Sequence, residues 1–355
     1  MTRILFAGGG TAGHIEPAWA VSQAWKAKHQ SDEVAFLGTA SGQEVELIPN
    51  RGGVLYLIPK VTAPRSITIE TFLFPFKLIN SAIKTISIVK NFDLVIGFGG
   101  YVSASAYLAA IVMRKPIVIH EQNARVGIAN KLGSRFASEV LVAYPNAIKE
   151  FGRGEVVGNP LKSQIVEAAR QAAQDWVTAR AKAKEALNVQ GPLVLVLGGS
   201  SGSTYINEVI AKTNFHDCTV IHSLGRANAN STIEPSGQSG KYVYRPVDYI
   251  EDMATALLAS DLVISRSGAV ATSEFAALGK YALFIPLPIG NGEQALNATE
   301  LVSAGKAELR SQRDFTPSWL SENFERLLGL GKIEAFGTNL NATESIVSAI
   351  ERAIK

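Results

Sequence analysis

Short apolar runs alternate with longer amphipathic stretches along the chain. In the first half the runs are Ile4–Ala7, Val34–Leu37, Val54–Ile58, Leu94–Gly97, Ile117–His120 and Val140–Ala143. A second series comprises Leu193–Leu197, Thr219–His222, Tyr242–Arg245, Leu262–Ser265 and Ala282–Ile285. Short runs that are apolar on both faces are typical of buried parallel strands. The pattern therefore predicts βα units built around parallel sheets.

The two series begin alike. Residues 4–14 (ILFAGGGTAGH) and 193–203 (LVLVLGGSSGS) each lead an apolar strand into a glycine-rich turn, which predicts two similar α/β domains. A glycine and a proline interrupt the pattern near Val156–Ser163. We expect domains at residues 1–160 and 161–335, followed by a terminal segment at 336–355. A long helix from Ser163 to about Leu187 and a final amphipathic helix over Asn341–Ile354 are also predicted.

Composition supports two domains without disulfides. The 355 residues are 47% hydrophobic, which is enough for two cores. The single cysteine, Cys218, argues against a disulfide framework. The opening residues do not resemble a secretory signal, and no uninterrupted apolar run approaches the ~20 residues needed to cross a bilayer. A formal charge of +3 is too small to indicate a nucleic-acid partner.

Three glycine-rich turns follow predicted strands and precede predicted helices. They lie at Gly8–Gly13, Gly97–Gly100 and Gly198–Gly202. The first fits the dinucleotide-binding spacing, but the second strand ends in Gly38 or Thr39, where a dehydrogenase carries an acid for the ribose. Backbone N–H groups at helix starts attract phosphate, although glycine also permits tight packing of strand against helix. Three such turns together favour phosphate binding.

Polar side chains gather where two strands of the first half end. His14 follows the first glycine turn, at the edge where open α/β sheets bind ligands, so a neutral imidazole there is a candidate general base. A buried or capping histidine is the alternative. His120, Glu121, Gln122 and Asn123 follow the fifth strand, and we expect them outside the core. His120 and Glu121 could instead be structural partners.

In the second half, the segment Ser260–Gly279 carries the most informative pattern. Its strand ends in Ser265 and Arg266, a short turn follows, and a helix begins with small residues ahead of Glu274. Such a helix start presents N–H groups to a pyrophosphate, and a carboxylate one turn further on can accept ribose hydroxyls. The segment therefore suits a nucleotide diphosphate, although Glu274 could also be an ordinary solvated helix residue.

Seven motifs, in order, resemble those of the MurG family of bacterial cell-wall glycosyltransferases. They are GGGTAGHIEPA, GFGGYVS, HEQNARVGIANK, VGNPLK, LGGSSG, YIEDMATALLASDLVISRSGAVATSE and PLPIGNGEQALNA, and they span nearly the whole chain. The glycine turns alone would not be specific to this family.

The resemblance implies the GT-B glycosyltransferase fold, an α/β architecture in which two Rossmann-like domains with parallel sheets face a central cleft. The N-terminal domain would meet the acceptor and the membrane, the C-terminal domain would hold UDP-N-acetylglucosamine, and the final helix would pack back on the N-terminal domain. The implied reaction moves N-acetylglucosamine, with inversion, to the 4-hydroxyl of undecaprenyl-pyrophosphoryl-N-acetylmuramyl-pentapeptide (lipid I). The product is lipid II, used in peptidoglycan synthesis.

Matching the motifs position by position, and adding Arg266 from the strand end above, gives the substrate-binding candidates. They are Thr11, Ala12, Gly13, Asn123, Lys162, Ser200, Ile250, Arg266, Ala269, Val270, Ala271, Thr272, Ser273, Glu274 and Gln294. Ala12 stands where relatives commonly have glycine, and Lys162 where many have arginine. Lysine keeps the charge of arginine but lacks its planar fork for bidentate contacts.

The catalytic candidates are His14, as the base that removes the acceptor's hydroxyl proton, and Glu121 as the alternative. Metal-dependent transferases hold a divalent ion with paired carboxylates, and no Asp-x-Asp motif occurs in this sequence. We therefore expect neither a metal nor a cofactor. Backbone N–H groups of the glycine turns, helped by Arg266, would stabilise the departing UDP.

An aromatic cluster indicates a membrane-facing surface. Phe72, Phe74 and Phe76 lie in ITIETFLFPFKLIN (residues 67–80), with Lys60, Arg65, Lys77 and Lys84 around them. Apolar insertion and attraction to anionic lipid add to each other, whereas burial in the core is the alternative. With the resemblance, the cluster predicts peripheral binding to an anionic membrane surface, on the cytoplasmic face.

Three other functions are compatible with parts of the pattern. A UDP-N-acetylglucosamine epimerase of the same fold would bind the same donor but no lipid acceptor. A non-catalytic sugar-nucleotide-binding protein is disfavoured by the polar residues concentrated at strand ends. A nicotinamide dehydrogenase is disfavoured by the missing acid after the second strand.

Overall fold

The computed structural model describes residues 1–61, 69–199, 201–225, 242–288, 292–331 and 340–355, without the side chains of residues 12 and 69–71. It divides into two compact units. Unit 1 comprises Met1–Lys162 and Asn339–Lys355, and unit 2 comprises Ser163–Thr338. Each unit is a parallel sheet with helices between its strands, which confirms the predicted pair of α/β domains.

Unit 1 is built on seven strands. They are β1 Arg3–Ala7, β2 Glu33–Thr39, β3 Leu55–Ile58, β4 Leu94–Gly97, β5 Ile117–Glu121, β6 Glu139–Val142 and β7 Glu155–Val156. Its first six helices are α1 Ala12–Lys28, α2 Glu44–Asn50, α3 Ile69–Val89, α4 Gly100–Val112, α5 Ile128–Gly133 and α6 Pro145–Phe151. The strand order is β3-β2-β1-β4-β5-β6-β7, and all pairs are parallel. Every strand therefore ends at the same edge of the sheet.

Unit 2 is built on six strands. They are β8 Leu193–Leu197, β9 Thr219–Ser223, β10 Val243–Val247, β11 Leu262–Ser265, β12 Ala282–Phe284 and β13 Ala307–Leu309, in the order β10-β9-β8-β11-β12-β13. The helices are α7 Ser163–Gln174, α8 Trp176–Ala186, α9 Thr204–Ala211, α10 Met253–Ala259, α11 Ala269–Ala277, α12 Glu293–Asn297, α13 Thr299–Ser303 and α14 Pro317–Leu330. All pairs are again parallel.

Successive residues of the central strands of unit 1 fill two different cores, one on each face of the sheet. Leu5 packs in the core that includes Val102 of α4. Ile4 packs on the opposite face, in the core that includes Ile15 of α1. The final helix, α15 (Ala342–Ile354), adds Ile350 to this second core. The alternation follows from the two-residue repeat of a strand, because neighbouring side chains point to opposite faces.

The long helix predicted from Ser163 to about Leu187 is wrong, because the segment forms two helices. Asp175 separates α7 from α8, and its Oδ1 accepts a hydrogen bond from the backbone N–H of Thr178 at 3.0 Å. An aspartate in this N-cap position satisfies an N–H group that a helix start would otherwise leave without a partner. The periodicity of the apolar residues does not reveal such a cap.

The apolar pattern also misses two strands, β7 and β13. They are two and three residues long and contain Glu155 and Glu308, so neither forms an apolar run. Both lie at the edge of their sheets, where a strand pairs on one side only. Short, charged edge strands are common because they discourage pairing with other chains.

Helix α3 has one buried and one exposed face. Ser81, Thr85 and Val89 are fully buried, and Ser81 Oγ accepts a hydrogen bond from Ser105 Oγ of α4 at 3.0 Å. Among the described residues, Phe72–Val89 is the one stretch long and apolar enough to cross a bilayer, by length and composition alone. A search for uninterrupted apolar runs misses this stretch because two lysines lie within it.

Candidate functional site

In unit 1 the first two glycine turns follow adjacent strands. Loop 1 (residues 8–13) follows β1, loop 2 (residues 98–101) follows β4, and β1 pairs directly with β4. The chain moves from β1 outward through β2 and β3 before it returns to β4 on the other side of β1. Open α/β sheets bind ligands at such a reversal of strand order, beyond the carboxyl ends of the strands.

His14 lies in the first turn of α1, with its ring close to both loops. Its Nδ1 is 3.1 Å from Thr11 Oγ1, and a Cβ placed on Gly99 would lie 3.5 Å from its Nε2. Gly99 has a φ of +90°, a conformation that favours glycine. Loss of hydration lowers the pKa of His14 to about 4, while the negative charge of Glu44 acts in the opposite direction. The imidazole is therefore neutral near pH 7.

A buried carboxylate that the sequence analysis did not single out fixes loop 1. Glu44, the first residue of α2, is 1% exposed. Its Oε2 accepts a hydrogen bond from the backbone N–H of Gly10, and its Oε1 accepts one from the backbone N–H of Thr39, both at 2.8 Å. Thr39 Oγ1 lies 3.2 Å from the Tyr101 hydroxyl of loop 2. Glu44 thus joins the ends of β1, β2 and β4.

Three glycines make room for this carboxylate. A Cβ atom added at Gly9, Gly38 or Gly42 would come closer than 3.0 Å to the Glu44 side chain. The glycines of loop 1 are therefore explained in part by an internal anion, because the N–H of Gly10 already has an anionic partner within the chain. Two glycines on the chain just before Glu44, at the end of β2, were the signal in the sequence.

The carboxylate of Glu121 closes the segment that follows β5. Its Oε1 accepts a hydrogen bond from the backbone N–H of Asn123 at 3.0 Å. Its Oε2 accepts hydrogen bonds from the backbone N–H of Gly127 and from the side-chain amide of Asn130, both at 2.9 Å. Burial raises the pKa of Glu121, and these hydrogen bonds oppose the rise. With these hydrogen bonds, Glu121 holds the segment after β5 in place.

The expectation that the four polar residues at the end of the fifth strand lie outside the core is wrong for three of them. His120, Glu121 and Gln122 are 0%, 2% and 5% exposed, and only Asn123 is partly exposed. His120 Nε2 donates a hydrogen bond to the carbonyl of Gly158 at 2.8 Å, and burial lowers the pKa of His120 to about 4. Central parallel strands are covered on both faces, so polar residues at their ends can be buried as well.

Lys162 lies beside the ion pair between Glu16 of α1 and Arg51. Its Nζ is 3.8 Å from Glu16 Oε1, and the Arg51 guanidinium contacts both oxygens of Glu16 at 2.7 and 3.1 Å. Arg51, which the sequence analysis did not consider, makes a bidentate contact with Glu16, whereas Lys162 lies further from the same carboxylate. Two cations around one carboxylate leave a net positive charge two residues along the chain from His14.

Unit 2 repeats the arrangement of loops. Loop 3 (residues 198–203, of which residue 200 is not described) follows β8, loop 4 (residues 266–268) follows β11, and these strands are paired. Strand order reverses between them, as it does between β1 and β4. A Cβ on Gly225, whose φ is +90°, would collide with the backbone of Gly202, so the turn after β9 lies directly against loop 3.

Arg266 is buried and stabilises loop 4 through hydrogen bonds. It is 8% exposed, and its guanidinium donates hydrogen bonds at 2.8–3.1 Å to the carbonyls of Ile285 and Pro286, to Ser203 Oγ and to Gln312 Oε1. Ser203 is the N-cap residue of α9, at the end of loop 3. The guanidinium thus connects the two loops of unit 2 through protein acceptors.

The helix that follows loop 4 has a glycine, Gly268, at its N-cap position, so no side chain occupies its start. Ser267 Oγ is buried and has no hydrogen-bond partner among the described residues. Thr272 and Ser273 bond back to the carbonyls of the preceding turn. Ala269 and Thr272 are buried, whereas Val270, Ala271, Ser273 and Glu274 are partly exposed.

The other predicted residues of unit 2 lie on segments that flank loop 4 or follow β10. Gln294 Oε1, on α12, accepts a hydrogen bond from the backbone N–H of Leu287 at 2.9 Å. Asn297 on the same helix donates to the carbonyl of Ser267 at 3.3 Å. Ile250 is partly exposed in the segment before α10. Ser200, the Ala12 side chain and Arg65 lie outside the described residues.

A buried histidine supports the turn beside loop 3. His222 Nε2 lies 3.1 Å from Asn207 Oδ1, and its Nδ1 lies 2.9 Å from the Tyr244 hydroxyl. Asn207 uses its amide N–H to donate to the carbonyl of Leu224 at 3.1 Å. His222 therefore donates from Nε2 and accepts at Nδ1, and burial lowers its pKa to about 4.

Comparisons with known proteins agree on one family. Residues 4–142 match the glycosyltransferase family 28 N-terminal domain, and residues 193–351 match the C-terminal domain of that family. Over 370 aligned residues the chain is 40% identical to the UDP-N-acetylglucosamine--N-acetylmuramyl-(pentapeptide) pyrophosphoryl-undecaprenol N-acetylglucosamine transferase of Corynebacterium diphtheriae, covering 99% of this chain and 97% of that one. The chain belongs to the MurG family of glycosyltransferases.

The MurG family is also found among solved structures. The crystal structure of Acinetobacter baumannii MurG matches with a TM-score of 0.75 at 27% identity, covering 99% of this chain and 100% of that chain. The expected GT-B fold and glycosyltransferase class are thereby confirmed. A UDP-GlcNAc 2-epimerase from Neisseria meningitidis matches with a TM-score of 0.59 at 16% identity over 99% of both chains, a likeness of fold alone. Membership of the MurG family favours the transferase over the epimerase.

We predict that His222 makes unfolding depend on pH. Between pH 6.5 and about 4 an unfolded chain binds a proton at this residue that the folded chain does not, so the free energy of unfolding falls as pH falls. Below about pH 4 both states bind the proton and the effect ends. His222→Gln keeps one acceptor and one donor but does not titrate. From pH 7 to pH 5, urea unfolding should show the wild type losing roughly 2 kcal/mol more than this variant; equal losses would contradict the prediction.

Proposed function

We propose that this protein transfers N-acetylglucosamine from UDP-N-acetylglucosamine to the 4-hydroxyl of the muramyl sugar of lipid I, with inversion, and so makes lipid II. The observation that carries the proposal is the 40% identity to the Corynebacterium diphtheriae transferase over 99% of the chain. That identity extends through both units and therefore includes the loops at both points where strand order reverses.

Unit 2 binds the donor in this proposal. The start of α11 has no side chain at its N-cap position, so its backbone N–H groups and the positive end of the helix dipole suit the diphosphate. Ser267 Oγ is a buried hydroxyl with no partner among the described residues, and it lies in the same loop. Glu274 accepts ribose hydroxyls one turn further along, while Ile250 and Gln294 meet the uracil and the sugar.

His14 is the general base on the acceptor side. The acceptor's 4-hydroxyl oxygen forms a bond to the anomeric carbon, its proton moves to Nε2 of His14, and the bond between the anomeric carbon and the UDP oxygen breaks. The electron pair leaves with UDP. A neutral imidazole is required at the start, and the low pKa of His14 keeps it neutral throughout the physiological range.

The Thr11 hydroxyl is compatible with the tautomer that this step needs, because it can accept a hydrogen bond from Nδ1. If Nδ1 carries the proton and donates it to Thr11 Oγ1, at 3.1 Å, Nε2 is free to accept a proton from the substrate. The opposite tautomer would place a proton on Nε2 and block the step. Thr11 therefore acts on the reaction through His14, in addition to any contact with the substrate.

Other charged candidates act through the loops they hold. Arg266 already donates to four protein acceptors, so it stabilises UDP by fixing loops 3 and 4. Glu121 holds Asn123 in place in the same way, and this supports His14 over Glu121 as the base. Lys162, with Arg51, supplies positive charge suited to the anionic acceptor.

One assay tests the proposed function. Radiolabelled sugar should pass from UDP-N-acetylglucosamine to a lipid I analogue, and a chromatographic shift of the lipid would report the product. Within the described ranges, no group of three or more His, Cys, Asp or Glu side chains is arranged to hold a metal ion. We expect transfer to continue in EDTA. Loss of transfer in EDTA would overturn the metal-independent mechanism, and no transfer in any condition would overturn the function.

We predict that His14→Ala lowers kcat by about 10²–10⁴, the usual contribution of a general base. The KM for UDP-N-acetylglucosamine should change little, because the donor binds elsewhere in this proposal. His216→Ala, at a partly exposed histidine of unit 2, serves as the control and should behave as wild type. Near-normal turnover of His14→Ala would exclude His14 as the base.

The exposed face of α3 is the proposed membrane contact. Phe72, Phe76, Ile79 and Ile83 are 72%, 71%, 54% and 60% exposed and follow one another at intervals of three or four residues. On a helix this spacing makes a continuous apolar stripe. Lys77 and Lys84 are exposed beside it, which suits anionic lipid, whereas Phe74 is partly buried. The protein would thus bind peripherally, at the cytoplasmic face.

We predict that Phe72→Ser combined with Phe76→Ser strongly reduces binding to vesicles containing anionic lipid, because apolar area that enters the interface is lost. Flotation with such vesicles measures the bound fraction. Val177→Ser is the matched control, since Val177 is 76% exposed on α8 in unit 2. Undiminished flotation of the double variant would exclude this stripe as the contact.

A further inference from the structure

We propose that Glu44 is a positioning residue for sugar transfer: its enclosed carboxylate fixes loop 1 beside His14 and stabilises the imidazolium that forms when His14 accepts the proton. The inference rests on the proposed function, in which His14 is the general base. It assigns Glu44 no contact with either substrate. Its basis is the set of hydrogen bonds and close packing that surround this single carboxylate.

Glu44 holds loop 1 in place. The N–H of Gly10 lies in the middle of the loop and donates to Glu44 Oε2 at 2.8 Å. One residue later, the carbonyl of Thr11 accepts hydrogen bonds from the backbone N–H groups of His14 and Ile15 at 3.1 and 3.3 Å. The Thr11 hydroxyl contacts the His14 ring. Holding Gly10 therefore holds both Thr11 and the start of the helix that carries His14.

The carboxylate of Glu44 also holds loop 2 in place, through Thr39. Thr39 Oγ1 contacts Glu44 Oε1 at 3.3 Å and the Tyr101 hydroxyl at 3.2 Å. The Tyr101 ring also faces loop 1, since a Cβ on Gly10 would lie 3.6 Å from it. Loops 1 and 2 both adjoin His14, so one carboxylate sets the positions of both neighbours of the proposed base.

The enclosed carboxylate also acts on His14 through its negative charge. Glu44 is buried, and Gly9, Gly38 and Gly42 pack so closely around it that a methyl group on any of them would collide with its side chain. The carboxylate therefore cannot move away to be solvated, and a charge in such surroundings is weakly screened. Its field favours protonation of His14, in agreement with the direction in which Glu44 changes the pKa of that residue. An imidazolium formed during transfer gains this stabilisation, whereas the neutral ground state does not.

A different role for the same geometry is displacement, in which a phosphate of the acceptor takes the N–H of Gly10 from Glu44. Positioning and displacement predict opposite effects on acceptor binding. If Glu44 competed with phosphate, its removal would tighten acceptor binding. If Glu44 holds the loop, its removal leaves turnover impaired and acceptor binding no stronger.

The test compares Glu44→Gln with Glu46→Gln in the full-length protein. Glu46 is an exposed glutamate on the same helix and is the matched control. Glutamine is uncharged and cannot accept from Gly10 and Thr39 through two oxygens. We expect Glu44→Gln to lower kcat on the order of 10- to 100-fold, a part of the roughly 10²–10⁴ due to the base itself. The KM for UDP-N-acetylglucosamine should stay within about twofold of wild type, and Glu46→Gln should match wild type.

A double-mutant cycle with His14→Ala separates positioning from general destabilisation. If Glu44 acts through His14, Glu44→Gln should change the residual turnover of His14→Ala by less than about twofold. Glu44→Asp keeps the charge with a shorter reach and should retain more turnover than Glu44→Gln. If Glu44→Gln does not fold, as judged by thermal melting, Glu44→Asp with its own double mutant provides the cycle.

Three results would overturn the inference. They are wild-type turnover of Glu44→Gln, a full additional loss on top of His14→Ala, or a lower KM for the lipid I analogue with turnover retained. Each presupposes that the wild type transfers sugar. Failure of the wild type to do so would instead refute the proposed function, so the two failures are distinguishable.

Discussion

Hydrogen bonds between buried charged side chains and the backbone at strand ends are the interactions on which both candidate sites depend. Glu44 and Glu121 accept N–H groups of unit 1 loops, and Arg266 donates to carbonyl and side-chain oxygens in unit 2. A buried charge is costly unless it is hydrogen-bonded, so each of these residues has a strongly preferred position. Lys280 follows the same rule, since its Nζ donates to the carbonyls of Leu258 and Ser260 at the end of α10. The loops are held by charge that is largely inaccessible to solvent.

The two units show that one sequence pattern can have two physical causes. In both, the first strand leads into a glycine-rich turn and then a helix. In unit 1 the glycines surround a glutamate, and the turn has an anionic partner of its own. In unit 2 Gly225 lets the turn after β9 lie against the backbone of loop 3, and Gly268 leaves the start of α11 without a capping side chain. The second arrangement is the one that the proposed function assigns to the nucleotide diphosphate.

Much of the fold can be predicted from the sequence because central parallel strands are apolar on both faces, as in Leu193–Leu197 and Leu262–Ser265. The break at Asp175 could not, since it depends on a single cap.

The position of His14 was predictable because it follows a strand end directly. The partner of Glu44 was not, because Gly10 lies 34 residues earlier. Nor were the partners of Arg266, since Ser203 and Gln312 are 63 and 46 residues away. The periodicity of apolar residues indicates which residues are buried. It does not indicate which distant residues form hydrogen bonds with them.

The last helix has a consequence for biosynthesis. Ile346 and Ile350 of α15 complete a core of unit 1 whose other members, from Ile4 to Val157, precede unit 2 in the sequence. All of unit 2 lies between them in the sequence. During translation the first unit therefore carries an uncovered apolar surface until α15 has been synthesised, a state in which nascent chains are prone to aggregate. Unit 1 thus depends on α15, and a chain truncated before this helix would leave that surface permanently uncovered.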